Sequence, residues 1–209
     1  NALTIRLIFP HWRAGTIPLT SKIAHLFPTA YESPRVQFTF IDSETNQRFN
    51  GWVVRPYHYI YGLREWFVSL GILPGSLITI SRGKNPGEVI LSTGRRRPIK
   101  DWVRTALIGA DGGIVFAMLK QQITTTLDEH MGIVLSNPDI LDELWEQSKN
   151  KQSFEQFIIN MMRELSKLTP QGHVHAEELY AAVNLLRRCP PTPILQLLLQ
   201  KTWAVHMGD

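Results

Sequence analysis

Two patterns of hydrophobic positions divide the chain. In the first two thirds, apolar and β-branched residues recur in short runs separated by Pro, Gly, Asn and Asp, which is typical of strands joined by turns. The runs with this pattern cover residues 3–9, 36–41, 49–54, 77–80, 89–91, 102–108, 114–119 and 131–135. They predict a barrel or sandwich of short strands. Residues 20–26 and 63–70 have the composition of one or two helical turns each.

The stretch from Trp52 to Ile80 is the centre of this pattern. A β-prone run ends at Val54, and residues 55–61 then interleave one Arg, one His and three Tyr around Pro56. Apolar residues recur at helical spacing from Leu63 to Leu70. The pattern predicts a strand, an exposed aromatic and basic loop, a short helix and a second strand. Cations and rings that share a loop suit contact with nucleic acid, and the alternative is a Tyr-rich loop that covers one end of a sheet.

Helical periodicity replaces the strand pattern after residue 136. A helix is predicted from Ile140, and a polar linker follows. Ser153 is a good N-cap with Gln156 as its partner, and it begins the first of three further helices. Thr192 is predicted to cap the last helix, and residues 203–206 are predicted to form a short β segment. The sequence therefore predicts an α+β chain made of a β-rich domain (3–136), a helix and linker (137–152) and a winged-helix-like domain (153–209).

The charge of the chain is unevenly distributed. Residues 1–110 hold 14 Lys and Arg against 6 Asp and Glu, a net +8, whereas residues 111–209 hold 8 against 12, a net −4. This asymmetry indicates that the basic part faces a polyanion, and the alternative is ordinary solvated surface charge. A single cysteine excludes an internal disulfide and fits a reducing compartment. No apolar run reaches the length of about 20 residues that spans a bilayer, so we expect no membrane contact and a location in the cytoplasm (nucleoid) or the nucleus.

Residues suited to catalysis or metal binding form no convincing group. Acidic pairs such as Asp128-Glu129 and Glu177-Glu178 fall in loops or first helical turns, where the helix dipole already favours them. His173 and His175 with Cys189 are the nearest approach to a metal set, and their spacing is weak for zinc. We therefore expect no cofactor and no enzymatic activity in this chain.

Basic side chains with neighbouring rings are the remaining candidates for function. Arginine presents a planar fork that suits both phosphate oxygens and guanine edges. The predicted DNA-binding residues are His11, Trp12, Arg13, Lys22, Arg55, Tyr57, His58, Tyr59, Arg82, Lys84, Arg95, Arg96 and Arg97.

The order of elements over residues 3–92 resembles the DNA-binding pseudobarrel family, which includes the plant auxin-response-factor domains and the effector domain of EcoRII-type restriction enzymes. The resemblance is carried by the strand 3–9, the extended Ile17-Pro18, the hairpin 36–54 and Tyr61-Gly62-Leu63 with its helix. Leu73-Pro74-Gly75-Ser76 departs from the family, because its turn is one residue shorter and has Ser76 where the family prefers Asp. The resemblance implies two arms, residues 11–15 and 55–61, that grip the major groove of duplex DNA, with Arg13, Arg55 and His58 as contacts.

The last 57 residues resemble a HARE-type winged helix, a kind found in the RNA polymerase delta subunit and in chromatin and restriction proteins. His175 to Tyr180 and Pro193 to Leu199 carry this likeness. Its net acidity favours a protein partner for this domain. The leading hypothesis is a non-enzymatic, sequence- or structure-reading DNA-binding protein of the transcription-regulator type. The alternatives are the recognition part of a restriction-modification or defence protein, and a protein-interaction module. Single-stranded DNA and RNA remain open as ligands.

Overall fold

The chain is an α+β protein, as its sequence predicts. The computed structural model describes residues 2–94, 97–148 and 152–207. A curled, mostly β sheet shaped like half of a barrel forms the N-terminal part, and helices form the C-terminal part.

Two compact units divide the chain. The first contains the residues up to Val103 together with Leu119–Val134, and the second contains Arg104–Met118 and the residues from Leu135 onward. The predicted strands 102–108 and 114–119, which lie within the predicted β-rich domain, therefore fall mostly in the second unit. The domain boundaries at residues 136 and 152 stay a prediction.

Strands within the described ranges form two sheets. In chain order they are β1 Leu3–Arg6, β2 Thr16–Pro18, β3 Arg35–Asp42, β4 Arg48–Val54, β5 Tyr59–Tyr61, β6 Leu77–Arg82, β7 Glu88–Ser92, β8 Ile99–Ile108, β9 Ile114–Ile123 and β10 Val134–Leu135. The seven-stranded sheet has the spatial order β1-β6-β7-β3-β4-β5-β2, and the second sheet has the order β10-β8-β9. Neighbours in the larger sheet are antiparallel, except that β3 and β7 are parallel.

Six α-helices accompany the strands in the described residues. They are α1 Phe9–Ala14, α2 Arg64–Ser69, α3 Ile140–Ser148, α4 Phe154–Ser166, α5 Ala176–Leu186 and α6 Pro191–Gln200. Two 3-10 turns, Ala24–Leu26 and Arg55–Tyr57, lie in the first unit. No described helix combines the length and apolarity that crossing a membrane requires.

The core of the first unit comes from the inward side chains of the curled sheet. Alternation along β3 buries Phe38 and Phe40, and Ile60 on β5 and Ile80 on β6 are buried in the same core. A Cβ at Gly51 would lie 2.5 Å from the rings of Phe38 and Phe40. Only glycine therefore lets these two rings cross under β4, and the tight fit fixes the register of the β3–β4 hairpin.

The cap predicted at Ser153 forms, and a second cap forms at His175. The Ser153 hydroxyl accepts a hydrogen bond from the backbone N–H of Gln156 at 3.2 Å and caps α4. His175 caps α5 in a capping box with Glu178. The helices α4 and α5 then pack through buried apolar residues such as Phe157 and Val183.

The prediction of an exposed loop at residues 11–15 is wrong, because α1 occupies Phe9–Ala14. Pro10 was interpreted as the end of a strand, yet proline fits the first turn of a helix, whose N–H groups need no intrahelical acceptor. Gly15 then ends the helix in the left-handed conformation at φ 67°. The strand predicted to reach Phe9 accordingly ends at Arg6.

Four other local predictions also differ from the structure. Residues 55–61 are not one loop, because a 3-10 turn is followed by strand β5, which pairs with β4 and β2. The residues predicted as a helix, 20–26, instead form a turn that is followed by the 3-10 turn Ala24–Leu26. Pro190, rather than Thr192, precedes α6. Residues 203–206 are described and form no strand.

Candidate nucleic-acid interface

The register of β3 and β4 brings two arginines together. Arg35 begins β3 and lies opposite Val54, the last residue of β4. The 3-10 turn that starts at Arg55 follows at once, and the backbone N–H of Arg55 donates to the carbonyl of Pro34 at 3.0 Å. The backbones of Arg35 and Arg55 are therefore neighbours at one end of the sheet, although 20 positions separate them in the sequence.

The segment after β2 brings further basic side chains to the same end. The N–H of Leu19 donates to the carbonyl of His58 at 2.8 Å, which ties the start of this segment to the turn after Arg55. The guanidinium of Arg82, at the end of β6, donates through Nε to the carbonyl of His25 at 3.1 Å. Lys22, which is exposed, lies on the segment between these two attachments.

The turn between β6 and β7 adds a lysine. The N–H of Thr39 in β3 donates to the carbonyl of Gly87 at 2.9 Å, so this turn lies beside the first half of β3. Lys84 is exposed in the turn. Seven residues from separate segments thus share one end of the sheet, called the basic end below: Lys22, His25, Arg35, Arg55, His58, Arg82 and Lys84.

The charge of the basic end is poorly compensated within the protein. Inside the described ranges, four of its five Lys and Arg side chains form no hydrogen bond or ion pair: Lys22, Arg35, Arg55 and Lys84. Glu32 is an exposed acidic neighbour in the loop before β3. Glu88 is already engaged, because hydrogen bonds from Asn85 and Arg48 lower its pKa to about 2. The basic end therefore presents cations to solvent.

Aromatic rings accompany these cations. Tyr57 is 76% exposed and Tyr31 is 98% exposed. The rings of Tyr57 and Tyr59 stack with their centroids 6.4 Å apart and their planes 20° apart. His58, between them, has φ 52°. A non-glycine residue with positive φ is uncommon, although His adopts it more readily than most residues do.

The first predicted arm has a different environment. The Nδ1 of His11 is hydrogen-bonded to the Thr16 hydroxyl at 2.7 Å, and the Trp12 indole donates to the carbonyl of Ile72 at 2.6 Å. Both side chains therefore contribute contacts within the first unit. Their role in binding DNA stays a prediction.

Arg13 lies at the end of the β2–β5 pair that is opposite to the basic end. Thr16 pairs with Tyr61 there, and the carbonyl of Gly15 accepts from the N–H of Leu63. The Arg64 guanidinium donates to the carbonyl of Arg13 at 2.5 Å, which brings a second arginine to this place. The three-residue ladder separates this pair from the 3-10 turn at Arg55 by about 10 Å. The two predicted arms thus lie along one edge of the sheet rather than at one point.

The sequence interpretation missed Arg35, Arg64, His25 and Tyr31. Arg64 falls within the predicted helix 63–70, and Arg35 immediately precedes the predicted strand 36–41. Pro34, directly before Arg35, is the local signal that the start of β3 is exposed. Strand register, which is a long-range property, decides where these side chains lie.

The remaining predicted residues lie elsewhere or outside the description. Arg97 is exposed between β7 and β8, and Arg95 and Arg96 lie outside the described residues. Tyr59 is half-buried beside Tyr57. No group of three His, Cys, Asp or Glu side chains suited to a metal occurs in the described part of the chain. There His175 caps α5, and the N–H of Cys189 donates to the Asn184 side chain.

His11 gives the first unit a predicted pH dependence. Burial lowers its pKa from 6.5 to about 4. The unfolded chain therefore binds this proton more tightly, and stability that is fully present above pH 6.5 is lost as the pH falls towards 4. We expect a loss of about 3 kcal/mol over that window. Urea unfolding of the native protein and of His11→Gln, measured from pH 7 to 4, tests this, and parallel curves for the two proteins would contradict it.

Comparison with protein-family models and with curated proteins finds no match for this chain. The site is therefore interpreted from its own geometry and charge.

Proposed function

We propose that this protein binds duplex DNA through the basic end. The observation that supports this most strongly is the convergence of Lys22, Arg35, Arg55 and Lys84, whose side chains have no partner inside the described chain. Cations held apart from internal carboxylates are suited to phosphate oxygens, which supply much of the affinity of DNA-binding proteins.

Arginine and histidine at the 3-10 turn add the capacity to contact base edges. Arg55 and His58 lie at the 3-10 turn that directly follows β4, and an arginine fork fits the acceptors of guanine in the major groove. Arg13 and Arg64, about 10 Å along the β2–β5 edge, are placed for a second contact. This spacing is comparable with the width of the major groove, about 12 Å. The protein then acts as a DNA-binding regulator, with its location in the nucleoid or the nucleus.

The same surface suits the recognition part of a restriction or modification system, whose DNA contacts would be of this kind. For the second unit we propose a protein partner. Its C-terminal helix α6 has no charged residue and exposes Leu195 and Leu199. The residues of this unit, 104–118 and 135–209, hold 8 Lys and Arg against 10 Asp and Glu, a net −2, which disfavours DNA as their partner.

Fluorescence anisotropy with a labelled random duplex tests the proposal. We expect binding at about 50 mM salt that weakens by about 10²- to 10³-fold at about 200 mM, since neutralising about five phosphates releases their counterions. A single strand and an RNA duplex of the same length serve as competitors. No binding to duplex DNA at the lower salt concentration would contradict the proposal and turn attention to protein partners.

A further inference from the structure

We propose that the ring of Tyr57 is a stacking platform for an unpaired base, so that the preferred ligand is duplex DNA carrying an unpaired nucleotide. The inference rests on the proposed function, because the cations of the basic end supply the contacts to the DNA backbone. It adds a class of DNA structure that a phosphate-binding surface alone would not select.

The first support is the way in which the ring is held. Tyr57 is 76% exposed, yet its ring is stacked on Tyr59 with a centroid distance of 6.4 Å, which lies in the range of offset aromatic pairs. Tyr59 belongs to β5 and is paired with Pro18 on one side and Val54 on the other. The exposed ring is therefore supported from beneath by a residue that two strands fix in place.

The backbone between the rings is the second support. His58 has φ 52°, and Asn46 is the other non-glycine residue of the described chain with positive φ. Asn46 lies in the β3–β4 hairpin turn, where asparagine often takes this conformation. His58 is the C-cap of the 3-10 turn Arg55–Tyr57 and joins that turn to β5, between the two tyrosines in the sequence. Unfavourable backbone conformations of this kind cluster at binding sites, where they hold a surface in advance of its ligand.

The third support is the charge around the ring. Arg55 precedes Tyr57 by two residues. The backbone of Arg35 lies opposite Val54, and the segment that carries Lys22 is hydrogen-bonded to the carbonyl of His58. A DNA backbone bound by these cations would run past the exposed face of the Tyr57 ring. A base of a paired duplex is covered on both faces by its neighbours, whereas an unpaired base has a free face that can stack on tyrosine. Stacking of this kind is tolerant of base identity.

Three labelled duplexes measured by anisotropy test the inference. One is fully paired, one carries a single unpaired adenine, and one carries an abasic site in place of that adenine. The abasic duplex keeps the extra sugar and phosphate of the bulge but has no base to stack. We expect the native protein to bind the adenine bulge about tenfold more tightly than either of the other two. Tyr57→Phe keeps this preference, and Tyr57→Ala loses it.

Tyr31→Ala is the matched control, because it removes an exposed tyrosine that stacks on no described ring, and it keeps the preference. Equal binding of the adenine and abasic bulges, or a preference that persists in Tyr57→Ala, would overturn the inference. The proposed function stands if the paired duplex is bound without any preference for the bulge. Failure to bind any of the three duplexes would overturn both.

Discussion

Replacing Arg35 and Arg55 together by alanine is expected to weaken duplex binding on the order of a hundredfold, because each arginine contact with DNA contributes roughly 1–3 kcal/mol. Neither guanidinium has a hydrogen bond or ion pair within the described chain, so the substitutions remove charge without breaking one. The free energy of unfolding should stay within about 0.5 kcal/mol of the native value. Anisotropy titrations measure the affinity, and urea unfolding measures the stability.

A variant with the same change of net charge is the control for this prediction. Arg163 and Arg188 are both exposed in the second unit, and Arg188 forms only a solvent-exposed contact with Asp142 at 3.5 Å. Arg163→Ala combined with Arg188→Ala should bind duplex DNA within about threefold of the native protein, since screening weakens distant charges. If both double variants lose the same affinity, net charge alone drives binding, and the basic end is not the interface.

Glu178→Ala is expected to destabilise the second unit by about 3–5 kcal/mol, because it leaves a buried arginine without its acidic partner. The NH2 group of Arg104, in β8, lies 2.5 Å from Oε1 of Glu178, in α5, and these side chains are 8% and 15% exposed. The second carboxylate oxygen of Glu178 accepts from the N–H of His175 at 3.2 Å and completes the capping box. One carboxylate thus neutralises a strand residue and caps a helix. Urea unfolding followed by circular dichroism measures the loss.

Two further variants separate these roles. Glu143→Ala removes an exposed acidic residue from the first turn of α3 and should change stability by less than about 0.5 kcal/mol. Arg104→Met combined with Glu178→Met should recover much of the stability lost in Glu178→Ala, since apolar residues of similar size can replace a buried ion pair. A loss below about 1 kcal/mol in Glu178→Ala would contradict the idea that this pair is structurally important.

Features decided by a few consecutive residues were predictable from the sequence. Ser153 caps α4 because its hydroxyl reaches an N–H three positions away, and His175 begins α5 for the same local reason. The alternation along β3 predicts a half-buried strand, and Asn46 marks the hairpin turn that follows. The change from strands to helices after residue 136 follows from the period of the apolar positions alone.

Features decided by tertiary contact were not predictable. Residues 11–15 have a polar, loop-like composition, yet the hydrogen bond from the Trp12 indole to Ile72 and the turn at Gly15 hold them in α1. Tyr59 and Tyr61 looked like part of a loop because their strand is short, and its two partners β2 and β4 supply the order that the local sequence lacks.

The residues of the candidate interface also divide into those that the local sequence predicts and those that only tertiary contact brings to the site. Arg55, Tyr57 and His58 were predicted because cations and rings are adjacent in the sequence there. Arg35 was missed because it becomes their neighbour only through the register of β3 against β4. The sequence predicts Lys22 in a short helix and Arg82 in a separate basic turn, and the hydrogen bond from Arg82 to the carbonyl of His25 joins the two segments.

The salt dependence of duplex binding, compared between the native protein and the Arg35→Ala, Arg55→Ala variant, tests the central claim most directly. Each cation that neutralises a phosphate contributes about 0.9 to the slope of log affinity against log salt concentration. We expect the slope of the variant to be shallower by about 2. Equal slopes for the two proteins would show that these arginines do not touch the DNA backbone, and would contradict the assignment of the basic end as the DNA interface.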